Sequence, residues 1–251
     1  MTKRKRWVIG NWKMNGSLGA NAALLEAISA AQSSAVSAAA IAVCAPFPYL
    51  TQMQRALGAT GVRYGGQDVS QHAAGAYTGQ VSASMLLEFG ASLALVGHSE
   101  RRQYNHETNE EVAAKATVLV AAGLTAVICV GETLSERESG KAEMVVASQL
   151  AACAGVIRSA TERVVVAYEP VWAIGTGKTA TAAEAQAMHA FIRREIARIG
   201  ADAASISVLY GGSVKPSNAA ELFAQPDIDG GLIGGAALVA SDFLAIVFAA
   251  H

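Results

Sequence analysis

A carboxylate or an imidazole can move a proton and a lysine can hold negative charge, and this chain sets candidates for each just beyond a short apolar run. Val164-Val165-Val166-Ala167 leads through Tyr168 into Glu169, and Leu93-Ala94-Leu95-Val96 leads through Gly97 into His98, Ser99 and Glu100. Asn11 and Lys13 follow Trp7-Val8-Ile9, Gln67 and Asp68 follow Val62-Arg63-Tyr64, and Glu132 follows Ala126-Val127-Ile128-Cys129-Val130. Gly211-Gly212-Ser213 follow Ile206-Ser207-Val208-Leu209, and Gly234-Gly235 follow Gly231-Leu232-Ile233. Such glycines expose backbone N–H groups of the kind that bind anions.

Taken singly, each has an ordinary reading. His98 is then a satisfied loop histidine, Glu169 a helix cap or surface carboxylate, Lys13 a solvated charge, and the glycines turn residues. Their shared position is what makes a site. The stretch after Glu169 adds to it: Pro170 and Gly175-Thr176-Gly177 bracket Val171-Trp172-Ala173-Ile174. A carboxylate at a strand end followed by an apolar tip bracketed by Pro and Gly is an arrangement that composition alone does not explain.

The apolar runs, with Ile41-Ala42-Val43 as the second of eight, predict the elements that position these groups. Most are continuous rather than alternating, as in a parallel strand buried on both faces. Between them lie Ala-rich segments with helical spacing, such as Leu24, Leu25 and Ile28, or Met188, Phe191, Ile192 and Ile196. Eight strand–helix units with no linker predict one α/β domain over 1–251, a single closed (β/α)8 barrel. An open doubly wound sheet is the alternative. In a barrel, all the polar groups above lie at the C-terminal face, where active sites of that architecture sit.

Hydrophobic residues make up 52% of the 251 and charged residues 16%, which suits a large core and excludes disorder. The net charge of −1 gives no reason to expect nucleic acid or an anionic membrane as partner. Cys44, Cys129 and Cys153 form no C-x-x-C, which suits a reducing compartment. The basic start, Lys3-Arg4-Lys5-Arg6, has no apolar stretch after it to make a signal peptide. The apolar tail 232–250 is broken by Ser241 and Asp242, so no membrane span is expected and a cytoplasmic location is. Gly177-Lys178-Thr179 lacks the glycine five residues earlier that a P-loop needs, position 172 being Trp. The loose dinucleotide pattern at Gly175-x-Gly177-x-x-Ala180 begins beyond its strand, and its acidic residue, Glu195, falls in a helix. The five histidines make no zinc-binding set, so neither metal nor cofactor is expected.

Six segments together resemble the triosephosphate isomerase family: "GNWKMNG" (10–16), "GAYTGQVSA" (75–83), "VGHSERR" (96–102), "YEPVWAIGTGK" (168–178), "YGGSV" (210–214) and "GGLIGGAAL" (230–238). They come in that family's order over nearly the whole chain. The resemblance implies interconversion of glyceraldehyde 3-phosphate and dihydroxyacetone phosphate without a cofactor. Glu169 would be the base and a neutral His98 the electrophile, and Val171-Trp172-Ala173-Ile174 would be the tip of a lid, hinged at Pro170 and Gly175-Thr176-Gly177, that closes over the substrate and excludes water, roles for which this family is the standard example. Lys13 and Asn11 would serve catalysis and substrate binding, with Gly175, Ser213, Gly234 and Gly235 around the phosphate. It also implies a homodimer in which the 67–80 loop inserts beside the partner's Lys13, with Thr78 close to that site. Gln80 stands where the family usually has Glu, which would remove an intersubunit ion pair. Tyr104 replaces the more usual Phe and Ala237 a usual Ser. A different sugar-phosphate enzyme on the same scaffold, or a phosphate-binding protein without activity, are the alternatives; the first would not need His98, Lys13 and Glu169 together, and the second would lack Glu169 or His98.

Overall fold

Eight short strands form: β1 Trp7–Asn11, β2 Ala40–Cys44, β3 Arg63–Gly66, β4 Leu93–Val96, β5 Thr125–Val130, β6 Val164–Tyr168, β7 Ser207–Tyr210 and β8 Gly230–Ile233. The structure, a computed structural model, describes residues 4–34, 39–174 and 179–250, the side chains of 32–34 excepted. Every neighbouring pair of strands is parallel, and β1 pairs with β8 from Trp7↔Gly230 to Gly10↔Ile233. The sheet therefore closes on itself as an eight-stranded barrel, and the open-sheet alternative falls away.

Closure explains why the strands read as unbroken apolar runs. Along β4, Leu93 and Leu95 point into the barrel while Ala94 and Val96 face the helices. In β6, Val165 and Ala167 point inward and Val164 and Val166 outward. Both faces are dry, so neither can carry polar residues. The inner core is a small cluster including Trp7, Ile9, Cys44, Leu93, Val127, Cys129 and Leu209. The outer one is far larger, and lies between the strands and helices such as Leu18–Ser34, Asn109–Ala121 and Ala182–Arg198. The apolar residues Leu24, Leu25, Ile28, Met188, Phe191, Ile192 and Ile196 all lie on the buried side of those helices. Glu195 does fall in the helix Ala182–Arg198.

Strand limits differ by a residue or two from the apolar runs. Val62 and Ile206 precede their strands, and Asn11 is the last residue of β1 rather than a residue beyond it. The apolar tail becomes β8, a 3-10 turn Gly235–Leu238 and a nine-residue helix Ala240–Phe248. Among the described residues no helix is long and apolar enough to cross a membrane. Gly230 starts β8 with φ +121°, and a Cβ there would stand 1.9 Å from the Trp7 carbonyl oxygen, so only glycine lets β8 close against β1.

Behind the barrel's rim, His189 is completely buried on the helix Ala182–Arg198, with its ring edge-on to Tyr168 at 5.9 Å. Nδ1 lies 3.3 Å from the Asp227 carbonyl oxygen, and Nε2 has no partner among the described residues. Burial pushes the imidazolium pKa down to about 3. The unfolded chain, with a histidine pKa of about 6.5, then takes up a proton that the folded chain refuses. Stability is complete above about pH 6.5 and falls by about 1.4 kcal/mol per unit as pH drops from there towards 3. Chemical denaturation measured between pH 7 and 4 should show that slope in the parent and a shallower one in His189→Gln; equal slopes would count against it.

Candidate active site

The C-terminal ends of β1, β4, β6, β7 and β8 surround a cavity of about 630 Å³ whose walls include Asn11, Lys13, His98, Glu169, Ser213, Gly234 and Gly235. Glu169 follows β6 directly, and its N–H donates to the Val130 carbonyl at 2.7 Å, extending the ladder one residue past the strand. This anchors the carboxylate at the rim, where Ile174 and Leu232 line the same cavity. Glu169 is only 2% exposed.

Two donors meet that buried carboxylate. His98 Nε2 lies 2.9 Å from Oε1, and the Ser99 amide N–H donates to Oε2 at 2.9 Å. Burial pushes the Glu169 pKa up, but His98, the Ser99 amide and Lys13 outweigh it and hold the carboxyl below its ordinary value. Glu169 is therefore ionised at neutral pH.

His98 caps the short helix Ser99–Tyr104, its Nδ1 accepting the Glu100 amide N–H at 3.3 Å. That bond puts the ring's proton on Nε2, because a proton on Nδ1 would set two N–H groups against each other. Burial lowers the His98 pKa and the Glu169 carboxylate raises it, the balance in this arrangement lying above the ordinary histidine value. If Glu169 turns away, the larger upward push goes with it, and burial and Lys13 are left to oppose the smaller one from Glu100, which favours a neutral ring that donates from Nε2.

Lys13 reaches the cavity on a strained backbone. Its φ of +53° is in the left-handed region, which costs a residue with a side chain about 1 kcal/mol or more. The strain is held by Asn11, whose Oδ1 accepts the Lys13 N–H at 3.0 Å, and by Gln67, whose Nε2 donates to the Lys13 carbonyl at 2.9 Å and to Asn11 Oδ1 at 3.1 Å. Lys13 Nζ pairs with Glu100 Oε1 at 2.5 Å. Asn11 is thus a positioning group for Lys13 as well as part of the wall.

In the same cavity wall, Gly212-Ser213 and Gly234-Gly235 follow β7 and β8. Among the described residues their amide N–H groups have no protein acceptor, so they form a cradle of unspent donors near Lys13. A side chain at Gly212 would strike the Tyr210 ring, its Cβ 2.2 Å from the hydroxyl, which keeps this backbone bare. Gly175, expected in the same cradle, lies outside the described residues, as do Thr176, Gly177 and Lys178.

Gln67, Glu100 and Glu132 were visible at strand ends without an assigned role. The fold gives them supporting ones. Glu132 is fully buried at the end of β5, and its Oε1 accepts the Tyr168 hydroxyl at 3.1 Å and the Trp172 indole N–H at 2.9 Å. Its carbonyl accepts the Val171 N–H at 3.1 Å, so Glu132 docks the 3-10 turn Val171–Ala173 that follows Pro170. Only pairing across strands five and six reveals that link. Among the described residues no group of His, Cys, Asp or Glu is arranged to hold a metal ion.

A parallel barrel that gathers a buried carboxylate, an Nε2 donor, a lysine and a bare amide cradle at its C-terminal mouth belongs to the class of barrel proteins suited to acid–base chemistry on a small anion. The family model described as triosephosphate isomerase matches residues 6–250, and the chain belongs to the triosephosphate isomerase family. It is 58% identical over 245 residues to the triosephosphate isomerase of Cupriavidus necator, covering 97% of this chain and 98% of that one. It is 59% identical over 248 residues to that of Cupriavidus taiwanensis, with 97% and 98% covered. To that of Ralstonia nicotianae it is 57% identical over 251 residues, with 98% and 99% covered.

Proposed function

We propose that this chain is an aldose–ketose isomerase that interconverts D-glyceraldehyde 3-phosphate and dihydroxyacetone phosphate in glycolysis and gluconeogenesis, in the cytoplasm and without a cofactor. One observation carries the reading: an ionised, buried Glu169 and the Nε2 of His98 stand 2.9 Å apart in the wall of a cavity that the bare amide cradle also lines. A phosphate in that cradle, met by the N–H groups of Ser213, Gly234 and Gly235, leaves the two carbons of the substrate towards Glu169 and His98. The carboxylate takes a proton from one carbon while Nε2–H donates to the carbonyl oxygen of the other. The enediolate so formed is stabilised by His98 and by the positive charge of Lys13. Glu169 then returns its proton to the neighbouring carbon, and the product leaves with the enzyme unchanged. For this, Glu169 must exchange its contact with His98 for the substrate. Trp172 and Val171, docked on Glu132, belong to the segment that begins at Glu169, so movement of the lid and of the base are mechanically linked.

The same wall supports a homodimer. Residues 73–80 of the 67–80 loop are exposed, with His72 stacked on Tyr77 at 3.7 Å. A second cavity of about 410 Å³, lined by Met14, Phe47, Gln67 and Tyr104, shares Asn11, Lys13 and His98 with the first. Met14 is 96% exposed and Tyr104 70% in the isolated chain, an apolar rim that the tip of a second copy's loop would cover. Gln80 accepts the Ser70 hydroxyl at 2.5 Å within its own loop, so the loop is braced from inside. A non-catalytic phosphate-binding protein would have no use for a buried carboxylate opposed to an imidazole.

Glu169→Gln keeps the shape and the Ser99 hydrogen bond but cannot accept the proton. A coupled assay of triose phosphate interconversion should show kcat reduced by about 10² to 10⁴-fold. A variant within tenfold of its parent would remove Glu169 from the role of base. For assembly, Thr78→Arg adds a bulky cation to the loop tip that would face the partner's Lys13. Sedimentation and assay of one sample should find a folded monomer of low activity, whereas a fully active monomer would mean that the neighbouring subunit is not needed to hold Lys13.

A further inference from the structure

The basic start of the chain is divided in its use. Arg4 Nε donates to Asp229 Oδ1 at 2.8 Å, and Arg6 Nη1 donates to the Phe223 carbonyl at 2.9 Å. Both are thereby absorbed by the segment leading into β8. Lys5, between them, is not. Its Nζ lies 4.3 Å from the centroid of the Trp7 ring, at the N-terminal mouth of the barrel, opposite the amide cradle. Arg63, the first residue of β3, brings its Cζ to 4.9 Å from the same centroid.

Among the described residues neither cation has a carboxylate or a hydrogen-bond acceptor. Nor does the sequence of the others, 1–3, 35–38, 175–178 and 251, contain an Asp or Glu. The ring face attracts each cation without neutralising it. Burial lowers the Lys5 pKa, and the like charge of Arg63 lowers it further. Both side chains are exposed, and their backbones are held in place. The Lys5 carbonyl accepts the Ser207 hydroxyl at 2.7 Å, the Arg6 carbonyl accepts the Ala40 N–H at 2.8 Å, and Arg63 is paired in register with Ala42. Two unpaired cations brought to one aromatic ring match a dianion, the guanidinium fork offering two donors and the ammonium a third.

We propose that the N-terminal mouth of the barrel binds a small divalent oxyanion, phosphate or sulfate, between Lys5 and Arg63 beside Trp7. This site is independent of the catalytic reading, since it lies at the other end of the barrel and uses none of the same residues.

The chain has three tryptophans, so the indole N–H of Trp7 can be identified in a proton–nitrogen spectrum of the full-length protein by its loss in Trp7→Phe. Sodium sulfate, and separately sodium phosphate, is titrated at constant ionic strength set with sodium chloride. The Trp7 signal should move along a saturating curve with both anions. The dissociation constant should rise about tenfold in Lys5→Gln and in Arg63→Gln, each having lost one charged donor. Lys5→Glu, which supplies the missing carboxylate, should abolish the curve. In all three variants the amides of Gly234 and Gly235 should respond as in the parent, showing an intact fold and separating this end from the cradle. Saturation by phosphate alone would restrict the site to phosphate. A Trp7 shift that stays linear in both anions, or affinities unchanged in both single variants, would overturn the proposal.

Discussion

A negative charge held almost out of reach of water is the constraint around which the rim is organised. A buried carboxylate left alone costs several kcal/mol and takes up a proton instead. Glu169 does not, because His98 and the Ser99 amide both end on its two oxygens and Lys13 adds its field from across the cavity. Each of those groups depends on something else. The Ser99 amide points at Glu169 because His98 caps the helix Ser99–Tyr104, and the same capping bond decides which ring nitrogen carries the proton. One hydrogen bond of local origin thus sets both the compensation of the base and the donor that faces it.

The second feature is rigidity around strained or exposed chemistry. Lys13 sits in a backbone region that side chains avoid, and Asn11 and Gln67 clamp its N–H and its carbonyl. Glu132 plays the corresponding part for the segment after Glu169, holding the Tyr168 hydroxyl, the Trp172 indole and the Val171 amide with one residue. The supporting residues are as buried or as heavily bonded as the groups they position. A site assembled from five strand ends has to be fixed in this way, since no single loop contains it.

The amide cradle and the cation pair at Trp7 show how one barrel separates two kinds of positive potential. At the C-terminal mouth it comes from bare backbone beside a lysine; at the N-terminal mouth it comes from side chains on an inner aromatic ring. The apolar inner core, from Ile9 and Leu95 to Leu209 and Leu232, lies between the two ends.

Much of this was legible along the chain. Eight unbroken apolar runs identify strands buried on both faces, because a parallel barrel leaves neither face wet, and the positions of Glu169, His98, Lys13 and the paired glycines just beyond those runs place them at one mouth. Periodicity could not distinguish a closed sheet from an open one, since that rests on whether β1 meets β8, a pairing across nearly the whole chain. Nor could it assign Gln67, Glu100 and Glu132. Their roles are contacts with Lys13 and Trp172, 54, 87 and 40 residues away in sequence, and side-chain chemistry alone does not say which distant partner a polar group will meet. The sequence by itself determined the kinds of chemical group and the face they share. Closure of the barrel determined their distances and the charge kept on Glu169, because burial and contacts between distant strand ends exist only once the strands have met.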